Sequence, residues 1–226
     1  YCQAHSNTYG DLGRLRAAYF EAIAYPGTVG ESIATRADCL GDAVLALLAE
    51  VAAKTHLTVE LGLQSASDAT AARINRGHDF AAFCAGYHAL RRAVPTAEIC
   101  IHIINGLPGE TCADMLRTAD AVAVLHPDQI KIHSLHVLRG TALAAAYTRG
   151  DYAPISLEDY VSVTAAQLTR LPPDIVIARV TGDGDRAALL APAWSLRKRE
   201  VIAALDRYLY MHGLWQGCAA ERFCSH

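Results

Sequence analysis

Glu60, Gly62 and Gln64 stand on alternate positions of an otherwise apolar run, Val59-Glu60-Leu61-Gly62-Leu63-Gln64, and Arg76 follows twelve residues after Gln64. Side chains alternate between the two faces of a strand, so a carboxylate, a bare backbone and an amide share one face while Val59, Leu61 and Leu63 share the other. Such a strand suits a barrel whose inner face lines a ligand site and whose outer face packs on helices. Gln64 ends the strand with an amide that both donates and accepts. Arg76 follows an apolar helical turn that can bring its guanidinium back over the same rim. Together they could hydrogen-bond a ribose and clamp a carboxylate. The blander alternative is that Gln64 satisfies a loop backbone and Arg76 pairs with Asp79. Spacing alone leaves both open.

Other strand ends also carry chemistry. Lys131 and His133 point the same way from one strand, with Ile130 and Ile132 opposite, and His136 and Arg139 follow on the loop. Cations or proton carriers gathered at one rim suggest an anionic substrate group, since histidine titrates near neutrality. Arg36 should share a face with Ser32 and Ala34, where it could bind an anion or pair with Asp38. Gly106-Leu107-Pro108-Gly109 makes a tight turn opening a helix, with Glu110 and Thr111 at its positive end. Its glycines would let backbone approach a ligand, or the turn could serve only as a connection. Asn7, Thr8 and Tyr9 are loop candidates, with helix capping as the alternative. The glycine loop Thr181 to Asp185 could present backbone N–H groups to a phosphate, although two aspartates would repel one. Arg197, Lys198 and Arg199 form a local basic cluster, a pattern most simply read as a solvated helix face. Cys218, Cys224 and His226 resemble half a zinc site on a tail that should fray, so no metal site is assigned.

Strand and helix signals alternate, which favours parallel βαβ units. Helices are expected over Asp11 to Tyr25, Asp42 to Lys54, Phe80 to Val94, Thr111 to Leu125, Ser156 to Leu171 and Leu196 to His212. Strands are expected over Val29 to Thr35, Leu57 to Leu63, Ile99 to Ile104, Gln129 to His133 and Asp174 to Val180. Right-handed crossovers would bring every barrel strand's C-terminal end to one rim, where the candidate residues fall. The character changes after Gly150-Asp151, so residues 1–150 are read as the barrel and 151–226 as a small C-terminal α/β extension packed on it.

With 226 residues, 52% of them hydrophobic, the chain can bury a full core. No apolar run approaches the length of a membrane span, and the start has neither a basic n-region nor an apolar h-region. Seven cysteines without a framework spacing suit a reducing compartment. A soluble, cytoplasmic protein with no membrane partner is therefore expected. The formal charge of −3 gives no support to a general nucleic-acid surface.

Several blocks, in order, resemble the radical S-adenosylmethionine (SAM) enzymes, in the branch containing the elongator catalytic subunit and oxygen-independent coproporphyrinogen oxidase. They are YCQAHSNTYG at Tyr1, SIATRADCL at Ser32, VELGLQSASDATAARINRGH at Val59, HIINGLPGET at His102 and IKIHSLHVLRGTALAAAY at Ile130. TGDGD from Thr181 and APAWSLRK from Ala191 narrow the resemblance to YhcC-type radical SAM proteins. It implies a partial TIM-type (β/α)6 barrel lacking its first βα unit, in which Tyr1 to Ala4 is the second strand. It also implies SAM contacts at Gln64, Arg76 and Thr35, and a loop at Gly106 and Pro108 that skirts the adenine. Arg36, Lys131, His133 and His136 would face the substrate. Ala34 and His102 stand where relatives carry acidic SAM contacts, and Ala37 where many carry proline.

The family holds a 4Fe-4S cluster on three thiolates spaced CxxxCxxC, and no such spacing occurs here. In the family that motif lies upstream of the block with which this chain begins, so the expectation is an N-terminally truncated sequence, itself unable to do radical chemistry. The intact enzyme would reductively cleave SAM to a 5′-deoxyadenosyl radical, with an electron donor for the cluster and an unidentified substrate. A modified RNA base is thinkable by resemblance and unsupported by charge. A non-catalytic SAM or nucleotide-binding module, and an ordinary TIM-type metabolic enzyme, remain the alternatives.

Overall fold

A computed structural model describes residues 1–2, 6–182 and 184–220. The chain alternates as the hydrophobic periods require: α1 (Leu12–Ala24), β1 (Gly30–Thr35), α2 (Asp42–Ala52), β2 (His56–Gln64), α3 (Asp68–Arg73), α4 (Phe80–Ala93), β3 (Glu98–Asn105), α5 (Cys112–Leu125), β4 (Gln129–Ser134). There follow β5 (Val137–Leu138), α6 (Ala142–Arg149), α7 (Leu157–Arg170), β6 (Val176–Arg179), β7 (Leu189–Ala191) and α8 (Lys198–Met211). Side-chain caps fix most helix starts. Asp11, Ser67, Asp79, Thr141 and Ser156 each accept a first-turn N–H, and Thr111 with Asp114 closes a capping box at α5.

Five strands form one parallel sheet in the order β1-β2-β3-β4-β6, the expected barrel type left open. Beyond β1 the chain start runs parallel to it. Cys2 N–H donates to Ser32 O at 2.9 Å, and Ala34 N–H donates to Cys2 O at 2.9 Å. On the helix-facing side Ile33, Val59, Leu61, Ile99, Ile101, Ile130 and Ile132 are wholly buried against Leu48, Phe83, Leu90 and Val122. Burying each such side chain contributes roughly 1.5–3 kcal/mol, so this face holds the sheet together. The opposite face presents Ser32, Glu60, Gly62, Gln64, His102, Lys131 and His133.

Two features depart from the sequence reading. The strand of the C-terminal segment is short, Val176–Arg179, and it pairs in parallel with β4, so the sheet continues past residue 150. Its entry is set by Val176 N–H donating to Asp128 O at 2.9 Å. The last helix starts at Lys198, because Ala193–Leu196 forms a 3-10 turn after Pro192. A buried amide pair ties the segment to the barrel: Asn105 Nδ2 donates to Gln167 Oε1 at 2.8 Å, and Gln167 Nε2 to Asn105 Oδ1 at 2.9 Å.

Candidate cofactor and substrate site

Glu60 is the hub of the polar face. Its Oε2 accepts from Tyr1 Oη at 2.8 Å and Lys131 Nζ at 2.7 Å, and its Oε1 accepts from Ser32 Oγ at 2.8 Å. His102 Nε2 also lies 2.7 Å from Oε2, outside the angle of a regular hydrogen bond. Burial alone would push this carboxyl up, but its neighbours His102, Lys131, Ser32 and Tyr1 outweigh it and hold the group well below the usual carboxylate range. One carboxylate thus joins the chain start to β1, β2, β3 and β4.

Beside it opens a cleft of about 380 Å³ lined by Thr35, Arg36, Glu60, Gly62, Gln64, Arg76 and His102, among others. Parallel pairing between β2 and β3 slips between Gly62 and Gln64, and Gln64 takes a left-handed backbone with φ 72°. A non-glycine residue in that region is strained, and such strain persists where surroundings enforce it. Gly62 makes the room. A Cβ there would lie 2.6 Å from Gln64 Nε2 and 3.0 Å from Arg76 Nη2. Arg76 donates to Gly62 O while its Nε is buried without a partner. Burial, and then the charge of Arg36, push the Arg76 guanidinium below its ordinary value. An anion in the cleft would satisfy that nitrogen and offset both effects. Asp79 instead caps α4, leaving Arg76 turned to the cleft.

Arg36 lines the cleft but is held by Asp38, with Nε to Oδ1 at 2.9 Å. Thr35 contributes to the wall, yet its hydroxyl is shared with Thr8 Oγ1 at 2.5 Å. Asn7 Nδ2 donates to Cys2 O and Ala34 O, so Asn7 and Thr8 fasten the chain start to β1. Tyr9 is exposed.

A second cleft, about 340 Å³, adjoins the first through a tilted pair of rings. His102 lines the first, His133 lines the second, and their centroids are 5.3 Å apart. Ile104, Ser134, His136, Arg179 and Gly182 complete its wall. Burial foremost, with the charge of His102 next, pushes His133 down to about 3, and burial also lowers His136. Burial thus favours the neutral form of both imidazoles, which were read as cations or proton carriers, and His133 Nε2 is buried without a partner. Gly182 covers them: a Cβ there would lie 3.1 Å from His136 Cε1 and 3.3 Å from His133 Nδ1. Lys131 is held by Glu60 in an ion pair.

Gly106 and Pro108 are not brought to the Gln64 cleft. Gly106, with φ 86°, sits under Ile155, and its carbonyl accepts from Tyr152 Oη at 2.8 Å, beside a separate cleft of about 290 Å³. Pro108 O accepts from Arg73 Nη1 at 2.8 Å. Cys224 and His226 lie outside the described residues. Among the described residues, no group of three or more His, Cys, Asp or Glu could hold a metal ion. Sequence reasoning named Glu60 as inward-facing but gave it no role, and missed Ser32, Tyr1 and Arg179. The signal available was Glu60 itself, since a carboxylate on an inner strand face must be paired.

Residues 3–122 match the Radical SAM superfamily and residues 127–211 match the Radical SAM C-terminal domain. The chain is 43% identical to the protein YtqA of Bacillus subtilis over 98% of its own length and 68% of that protein. It is 39% identical to YhcC of Escherichia coli K12, covering 98% of the chain and 71% of that protein. Among solved structures, Elp3 of the archaeon Methanocaldococcus infernus, with residues 1–46 deleted, superposes with a TM-score of 0.72 at 20% identity, covering 83% of this chain and 43% of that one.

Proposed function

Because the chain belongs to the radical SAM superfamily, we propose that it binds S-adenosylmethionine in the cleft of Gln64 and Arg76 and receives its substrate beside His133 and His136. The observation that carries this reading is the buried, unpartnered Nε of Arg76, placed next to the Gln64 amide over the bare backbone of Gly62. A SAM carboxylate would accept from Arg76 as a charge-assisted pair, and a ribose hydroxyl would exchange hydrogen bonds with Gln64. The strained backbone of Gln64 aims its amide before the ligand arrives, so little ordering is left to binding. The cleft volume of about 380 Å³ lies within the usual range for small-molecule sites.

When bound to a reduced 4Fe-4S cluster, SAM supplies a radical able to abstract hydrogen from substrate, and the protein's own part is positioning and exclusion of competing reactions. The described residues do not fit the cluster itself, since their cysteines sit apart on different elements. An electron donor for such a cluster would be a partner. On the substrate side, neutral His133 and His136 each offer one donor and one acceptor. The test is calorimetric titration of the protein with SAM: saturable binding that Arg76→Ala weakens supports the reading, and equal affinity of wild type and variant refutes it.

A further inference from the structure

A cleft of about 460 Å³ lies outside both sites, lined by Gly182, Gly184, Arg186, Arg197, Lys198 and Arg199 among others. Its other charged wall residue is Glu200, whose Oε2 is 2.9 Å from Arg197 Nη1. Arg197 is thus paired, while Arg186 and Arg199 add two further guanidinium groups to the wall, on a chain whose formal charge is −3. Such a concentration raises the local potential and draws anions. Asp185 does not line the cleft, and its Oδ1 accepts from Ala187 N–H at 2.9 Å. Asp183 lies outside the described residues.

Gly182 is the link. It lines this cleft and also the His133–His136 cleft, so the two openings meet at one backbone position. Neutral imidazoles in the inner cleft are suited to an uncharged hydrogen-bonding group, and anion recognition falls to the outer one. Guanidinium forks match phosphoryl oxygens, and a phosphoryl group offers three acceptor oxygens and up to two negative charges, more than a carboxylate can present.

We propose that the Arg186–Arg199 cleft binds a phosphoryl group of the substrate, whose uncharged reacting part extends past Gly182 to His133 and His136. That the phosphoryl group belongs to the substrate rests on the function proposed above, whereas its binding does not. The experiment titrates the full chain, without cofactor, with pyrophosphate by calorimetry at low salt. Saturable binding is expected, weakening as sodium chloride is raised and falling at least tenfold in the Arg186→Gln/Arg199→Gln double variant. Arg14→Gln, on a distant exposed helix, should bind as wild type does, and circular dichroism checks that every variant is folded. A SAM titration of the same samples should be unchanged, which separates failure here from failure of the SAM reading. Absence of saturable binding, or equal affinity in the double variant, overturns the proposal. Competition then identifies the source: displacement of pyrophosphate by ribose 5-phosphate marks a small phosphorylated substrate, displacement by short single-stranded RNA alone marks a nucleic acid, and displacement by neither overturns the assignment to substrate.

Discussion

Glu60 and Lys131 form a 2.7 Å ion pair that spans the strand between them, for β2 and β4 are not neighbours and His102 of β3 lies in the gap. Both side chains are largely buried, at 6% and 14% exposure. Removing one member of a buried pair typically costs about 3–5 kcal/mol. Tyr1 and Ser32 remain on Glu60, so Lys131→Met should cost somewhat less, on the order of 2 kcal/mol. Urea unfolding measures it, and a loss below about 0.5 kcal/mol, the range of an ordinary surface substitution, would show that the pair is not structural.

The same pair sets an acid limb of stability. The folded carboxyl of Glu60 is held below its unfolded value, so its contribution is complete above the unfolded pKa of about 4.3 and is lost as pH falls below that. Wild type should lose stability more steeply than Glu60→Gln between about pH 4.3 and pH 3. Parallel slopes in that window would remove Glu60 as the cause.

Gln64→Ala and Arg76→Ala should each weaken SAM binding by roughly tenfold or more, the loss expected for a hydrogen bond to a charged group, while far-ultraviolet circular dichroism stays unchanged. Unaltered SAM affinity in both variants would take the cleft out of cofactor binding.

Gly62→Ala probes the same cleft without removing a polar group. The new methyl would stand 2.6 Å from Gln64 Nε2, so the amide must shift. SAM affinity should fall, and the change in unfolding free energy should stay small because the amide is a side-chain end with room to move. A crystal structure with Gln64 in its original place would contradict this account.

His133 gives a pH signature of opposite origin. Its folded pKa, pushed down to about 3, lies below the unfolded value near 6.5. Between these limits the unfolded chain binds the extra proton, so stability falls as pH drops, by up to about 1.4 kcal/mol per pH unit. Nuclear magnetic resonance should find the His133 ring unprotonated from pH 8 to pH 5, and His133→Gln should flatten the stability slope there. A ring titrating near 6.5 would mean that the site is wet and open.

The sequence by itself determined the sheet. Period-two runs such as Val59 to Gln64 and Ile99 to Ile104 place β-branched and leucine side chains on one face, and the helices between them compel parallel pairing. Local rules also marked most helix ends, since the caps at Asp11, Asp79 and Thr111 act within one turn. They were less informative for α3 and α6, helices of 6 and 8 residues whose apolar stripes are too short to stand out. The choice of Gln64 and Arg76 as neighbours was legible from a strand end followed by a helical turn.

Only the tertiary structure decided what each polar residue faces. Lys131 and His133 share a strand face, yet Lys131 is neutralised by Glu60 while His133 is neutral through burial, because partners and desolvation come from elements 31 to 71 residues away. Gly106 and Pro108 lie at the C-terminal end of β3 as Gln64 lies at that of β2, but segment 151–155 covers that loop and gives it a cleft of its own. Likewise β6 joins β4 through a pairing that no local period encodes. The facing of strand residues and the capping of helices depend on neighbours a few residues apart. Charge, strain and access in a site depend on residues that the chain brings together from far away, and folding alone sets those distances.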